Sequence, residues 1–126
     1  MTEPARYPYE APVTAYGNGG FRFAEMSHKG SILCLPSGVY AWAPAAAGDL
    51  TPEDFARVLN ELTPPCVVLL GTGARQIFPS AELTKAFADK GLGLEAMSTG
   101  AAARTYNVLL AEKRHVAAAL DRRAHV

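Results

Sequence analysis

Val67-Val68-Leu69-Leu70-Gly71-Thr72-Gly73 decides how this chain reads. Four consecutive apolar residues, two of them β-branched, run into two glycines that bracket a threonine. A short apolar run closed by turn residues reads as a strand buried on both faces, its carboxyl end opening into a tight turn. Helical patterns lie on either side, which places the strand in the middle of a three-layer α/β unit. The turn at the end of such a strand is the usual position for a binding site.

Upstream, Thr51-Pro52-Glu53-Asp54 starts a helix: Thr51 caps, Pro52 takes the first helical position and Asp54 sits where a capping acid belongs. Phe55, Val58, Leu59 and Leu62 form its buried stripe, and Pro64-Pro65 stops it. Downstream, the loop 74–79 holds Arg75, Gln76 and Phe78. Ser80 caps a second helix with Leu83, Ala86 and Phe87 inward, and Gly91 ends it. Leu92 to Met97 is a second parallel strand, reached by a right-handed crossover. Thr99 caps a third helix, from about Ala101 to Glu112, with Ala102, Tyr106, Leu109 and Leu110 on its inner face. The apolar run His115 to Leu120 has no clear period, so its pattern permits either a continued helix or a short final strand.

The N-terminal third is built differently. Pro4, Pro8 and Pro12 exclude a helix over residues 1–20, which read as an arm lying over the domain and pinned by Tyr7, Tyr9 and Tyr16, with a turn at Asn18-Gly19-Gly20. Strands are expected over Phe21–Met26, Ser31–Leu35 and Val39–Ala43, separated by turns at Ser27-His28-Lys29-Gly30 and Pro36-Ser37-Gly38. Together they suggest an antiparallel layer of their own. The organisation is thus an arm (1–20), one domain (21–120) and a polar tail (121–126).

A chain of 126 residues supports one core and not two. Twelve basic and twelve acidic residues cancel, which argues against a nucleic-acid binder held by charge. A charged fraction of only 19% leaves apolar surface for a protein partner or a homo-oligomer. No apolar run approaches the roughly 20 residues that span a bilayer, and no basic start followed by an apolar segment suggests a secretory signal. Cys34 and Cys66 lie in apolar strand-like runs and read as buried free thiols; a disulfide would need the two strands side by side.

Two parallel strands end on the same side, so Gly71-Thr72-Gly73 comes near Ser98-Thr99-Gly100. With Arg75 and with Arg104 in the first turns of the third helix, these residues outline a crevice for a small anion, to which backbone N–H groups would donate. The competing reading is a tight turn packed over the sheet, with Arg104 paired internally or exposed. Asn107 is unfavourable inside a helix and is expected to bond across to a neighbouring loop. Tyr16, Tyr40 and Trp42 are candidates for a partner surface, although Tyr40 and Trp42 read first as core. The catalytic inventory is thin. His28, His115 and His125 have no metal-ligand spacing, and Cys34 has no evident activating base. No serine elbow, no paired acids, no full dinucleotide glycine pattern and no phosphate-loop lysine occur. No metal and no cofactor are expected.

The segments Leu69-Leu70-Gly71-Thr72-Gly73 and Met97-Ser98-Thr99, with Ala101-Ala102-Ala103-Arg104-Thr105-Tyr106-Asn107-Val108-Leu109-Leu110-Ala111-Glu112-Lys113-Arg114-His115-Val116-Ala117-Ala118-Ala119-Leu120, resemble the Mth938-like domain family. Gly30-Ser31-Ile32 and the stretch from Pro36 to Trp42 extend the likeness over roughly residues 15–120. The eukaryotic branch of that family includes a mitochondrial respiratory complex I assembly factor and a cytosolic protein linked to adipogenesis. The resemblance implies a three-layer α/β fold with a mixed central sheet, helices packed on it and an N-terminal hairpin layer. It also implies that Val116–Leu120 is a strand antiparallel to the rest, and that no enzyme activity is established. Two departures stand out. Ser98 replaces a usual acidic residue, which removes a carboxylate base from that position, and Lys113 stands where glycine is common.

The resulting expectation is a non-enzymatic interaction protein, of the kind that assembles a membrane respiratory complex. It would act in the cytoplasm of a bacterium, or in the matrix if mitochondrial. Its rival is a binder or enzyme for a small anion held by Gly71, Thr72, Gly73, Arg75, Thr99 and Arg104, in which Arg104 neutralises the ligand.

Overall fold

The computed structural model describes residues 4–44 and 47–123. Among the described residues, eight strands and three α-helices follow one another as β1 (Val13–Gly17), β2 (Gly20–Phe23), β3 (Met26–Lys29), β4 (Ser31–Leu35), β5 (Gly38–Trp42), α1 (Ala56–Glu61), β6 (Cys66–Gly71), α2 (Ala81–Asp89), β7 (Leu92–Met97), α3 (Thr99–Ala111) and β8 (Val116–Leu120). A 3-10 turn, Pro52–Phe55, leads into α1. The strands make two sheets: a small antiparallel one, β1-β2-β3, and a mixed five-stranded one in the order β5-β4-β8-β6-β7. This is the three-layer α/β architecture with a mixed central sheet and an N-terminal hairpin layer.

The decisive stretch behaves as its sequence dictates. Val68, Leu69 and Leu70 are all buried, because β6 lies between β7 and β8 and is covered on both faces. On one face Val68 and Leu70 join Leu83 and Phe87 of α2, Phe55 and Val58, and Trp42. The ring of Phe55 meets those of Trp42 and Phe87 at 5.3 Å each, so the aromatic stripe is one continuous cluster. On the other face Leu69 packs with Ala102, Ala103 and Tyr106 of α3 and with Phe21 and Phe23 of the small sheet.

The structure departs from the sequence reading in five places. First, residues 1–20 are not all arm: Val13–Gly17 forms β1, paired with β2. Asn107 ties this strand to α3 by accepting from Val13 N (2.9 Å) and donating to Val13 O (2.8 Å), so its partner is a strand and not a loop. Second, the chain reverses at Ala24-Glu25 and Ser27–Lys29 belongs to strand β3; the expected turn at 27–30 is reduced to Gly30. Third, β4 and β5 leave the small sheet and enter the main one, because β4 pairs antiparallel with β8. Fourth, β8 is antiparallel only to β4; it runs parallel to β6, with Val67 opposite Val116 and Gly71 opposite Leu120. Its three alanines are all fully buried, Ala118 on the α3 face between Val116 and Leu120, and Ala117 and Ala119 on the opposite face. Fifth, the tail is anchored at its start: Asp121 is 2% exposed and its N–H donates to Gly71 O at 2.9 Å. Residues 124–126 lie outside the described residues.

Cys34 and Cys66 are buried free thiols, packed in the clusters on opposite faces of the sheet. Burial pushes the Cys34 thiol up to about 12; burial, with the charge of Glu10, pushes Cys66 up to about 11. Neither is a thiolate at neutral pH, so neither is an activated nucleophile.

Candidate functional site

The carboxyl ends of β6, β7 and β8 meet where the fold places a crevice, at the point where the chain turns from one side of β6 to the other. Gly71 and Thr99 are in direct contact there. A Cβ on Gly71 would stand 2.8 Å from Thr99 Cα and 3.0 Å from its Oγ1, so only glycine lets α3 start this close to β6. Gly73 has φ +99°, and a Cβ there would lie 3.0 Å from Arg123 O.

The polar groups of the crevice are used by one another. Thr99 is fully buried: its Oγ1 accepts from Gly73 N at 2.9 Å and donates to Asp121 O at 2.9 Å, while its N–H donates to Gly73 O at 2.8 Å. Thr72 N donates to Met97 O at 2.9 Å. The Thr72 hydroxyl donates to Arg75 O and accepts from Ile77 N at 3.0 Å, which folds the loop back over the strand end. Asp121 holds Arg123 through both carboxylate oxygens, Oδ1 to Nε at 2.9 Å and Oδ2 to Nη2 at 2.7 Å. That bond raises the affinity of the guanidinium for its proton, so the pair is permanently ionic on the arginine side.

The six residues read as an anion crevice are therefore only partly brought together. Gly71, Thr72, Gly73 and Thr99 converge, but the N–H groups of Thr72 and Gly73 already have acceptors. Arg75 is exposed and lines a shallow depression of about 370 Å³ with Thr72, Gly73, Asp121 and Arg123. Arg104 is exposed over Gly100, and its Nη1 donates to Tyr16 Oη at 3.5 Å. The helix cap is Ser98, which accepts from Ala101 N at 3.3 Å; Thr99, expected as the cap, is the first residue of α3. Ser98 is thus spent on capping the start of the helix.

Of the three aromatic partner candidates, Tyr16 alone is exposed, at 41%. Tyr40 is buried, bonds Ser37 Oγ at 2.6 Å and carries the Arg57 guanidinium 3.9 Å above its ring. Trp42 is buried, and its Nε1 donates to Asp54 O at 2.7 Å. Both are core. Exposed apolar side chains to which sequence reasoning gave no role include Phe78 and Ile77, beside the crevice, Val108 on α3 and Met26 at the start of β3. Asp121 was also missed, because a single acid after an apolar run reads as the start of a tail. Among the described residues no group of three or more His, Cys, Asp or Glu could hold a metal, and no helix is long and apolar enough to cross a membrane.

The fold and the crevice define a small three-layer α/β domain whose strand-end crevice is closed by its own hydrogen bonds. Residues 13–120 match the family model described as a protein of unknown function (DUF498/DUF598), and the chain belongs to this family, the Mth938-like proteins. A solved structure described as an outer membrane protein from Bartonella henselae is similar at 50% identity, with a TM-score of 0.86 over 93% of this chain and 98% of its own. A Bordetella pertussis protein described as a Mth938-like domain is similar at 32% identity and a TM-score of 0.75, over 98% of this chain and 91% of its own. NADH dehydrogenase [ubiquinone] 1 alpha subcomplex assembly factor 3 of Danio rerio is 32% identical over 86% of this chain. The match covers 62% of that assembly factor, so the chain spans less than two thirds of its length.

Proposed function

We propose that this protein is a non-enzymatic interaction factor of the respiratory complex I assembly type. The observation that carries the reading is the 32% identity to an assembly factor across 86% of the chain. The closed crevice supports it. A reaction at the strand ends would need donors free to meet a substrate, and those of Thr72, Gly73 and Thr99 are committed internally. The buried, high-pKa thiols support it as well. Such a factor works at the cytoplasmic side of a bacterial membrane, or at the matrix side of a mitochondrial one.

The test is affinity capture from native lysate in mild detergent, comparing wild type with Arg104→Ala. Co-recovery of complex I subunits or their assembly intermediates is the expected result, and its loss in the variant would place the Tyr16–Arg104 surface at the contact. Recovery of the chain without any such subunit, across several detergents and salts, would overturn the reading.

One observation favours a second reading: exposed Arg75 lines the depression beside Thr72 and Gly73, where Arg123 is already paired with Asp121, and offers a cation to a small anion. A rise in melting temperature with inorganic phosphate that disappears in Arg75→Ala would support it. An unchanged midpoint at millimolar phosphate would remove it.

A further inference from the structure

The five-stranded sheet has two outer edges, β5 and β7, and the chain treats them differently. At β5 the N-terminal segment closes the ladder: Arg6 N and Tyr7 N donate to Val39 O (2.7 and 3.3 Å), and Val39 N donates to Tyr7 O (2.9 Å). At β7 no further strand follows among the described residues. Thr72 N donates to Met97 O, so Met97, Glu95 and Gly93 direct their backbone groups toward β6. By alternation Leu92, Leu94 and Ala96 direct theirs outward. Among the described residues, the one bond recorded to this outer side is a side chain, Gln76 Nε2 donating to Ala96 O at 2.8 Å.

We propose that β7 pairs antiparallel with β7 of a second copy, about a two-fold axis passing beside Leu94, to give one continuous ten-stranded sheet. The strand is self-complementary in this register. Leu94 meets Leu94 of the second copy as a hydrogen-bonded pair, each N–H donating to the other C=O. Leu92 meets Ala96 in the same way, and its N–H takes the place of Gln76 at the Ala96 carbonyl. Between them, Glu95 falls opposite Gly93, so the exposed carboxylate faces a residue without a side chain instead of its own copy. Apolar area is supplied next to the seam: Gln76 continues into Ile77 and Phe78, which are 38% and 77% exposed. The formal net charge of zero puts no long-range repulsion between copies. On α2, which packs over β7, exposed Ala81, Thr84 and Ala88 share one flank and offer only small side chains to a neighbour. An open, flat edge of this kind is a template for pairing. The inference stands apart from the assembly reading: a chain that captures no complex I subunit can still dimerise, and the reverse.

Two measurements on the full chain test it. Light scattering across the micromolar to submillimolar range should show a monomer–dimer equilibrium. Leu94→Pro deletes both N–H donors at the axis without touching the β6 ladder, and should lower the association constant by about tenfold or more. In the second, Gly93→Cys protein is mixed with Glu95→Cys protein under mild oxidation. The Gly93 position accepts a Cβ, whose nearest neighbour would be Val67 Cγ2 at 3.4 Å. Facing residues of a non-hydrogen-bonded pair lie within disulfide reach, so the mixture should form cross-linked dimer and either variant alone far less. Far-UV circular dichroism checks that each variant is folded. A monomer at every concentration with no mixed cross-link overturns the proposal and leaves the edge to an extended segment of another protein. A dimer that survives Leu94→Pro and does not cross-link overturns it equally, by placing the interface elsewhere.

Discussion

The crevice at the strand ends and the edge of β7 lie within one loop of each other, and their polar groups are in opposite states. In the crevice, Gly73, Thr99 and Asp121 satisfy one another in a buried network. Along β7, the outward N–H and C=O of Leu94 have no partner among the described residues, and the carbonyl of Ala96 is met by one side chain. The place where α/β folds usually bind ligands is here used for stability, while unspent hydrogen-bonding capacity lies on a sheet edge. That contrast points from chemistry toward contact with another polypeptide, and it can be attacked from both sides.

The largest effect is expected at Thr99. Thr99→Val keeps the volume and leaves Gly73 N–H and Asp121 C=O buried without partners, at a cost of about 2–4 kcal/mol. Urea unfolding should show that loss while the association measured for the folded fraction stays as in wild type. Asp121→Asn keeps the size but removes the charge that holds Arg123, and a loss of about 1–2 kcal/mol is expected. A crevice that tolerates both substitutions would not be the closed network described, and the contrast would fail. Away from both regions, His28 gives a smaller, pH-dependent effect. Burial, then the charge of Arg6, lowers its pKa below 6.5, against an opposing backbone hydrogen bond at Ser31. Its unfolded state therefore binds protons more readily. Stability should fall as pH drops below about 6.5 and level off below the folded-state pKa. Melting curves of His28→Gln between pH 8 and 5 should lack that component. The smallest effect is expected for Gln76→Ala, which uncovers the Ala96 carbonyl. Stability should change by less than about 0.5 kcal/mol, and self-association should be unchanged or tighter. Weakened association would mean that Gln76 belongs to the interface instead of standing in for it.

How much was legible in the sequence follows from where each element finds its partners. The boundaries of β6, α2 and β7 could be read because Pro64-Pro65, Ser80 and Gly91 punctuate them locally. The turn at Ala24-Glu25 was not, since both residues take positive φ, +49° and +62°, that nothing in their type announces. Strands β4 and β5 were recognisable as strands, but their sheet was not, because β4 pairs with β8 at the far end of the chain. The direction of β8 was hidden for a related reason: Val116–Leu120 is buried on both faces and carries no period, and likeness to the family assigned it antiparallel to the whole sheet. In the crevice, the approach of Gly73 to Thr99 followed from two parallel strands ending together. The closure of that crevice depended on Asp121, whose role is set by the strand before it and not by its own neighbours.

Amide hydrogen exchange measured by NMR at low and at high protein concentration tests the central contrast most directly. The account predicts that Gly73 and Thr99 amides are strongly protected at both, while the amides of Leu94 and Ala96 exchange rapidly in dilute solution and become protected as concentration rises. Rapid exchange at Gly73 and Thr99, or Leu94 and Ala96 amides whose exchange ignores concentration, would contradict it.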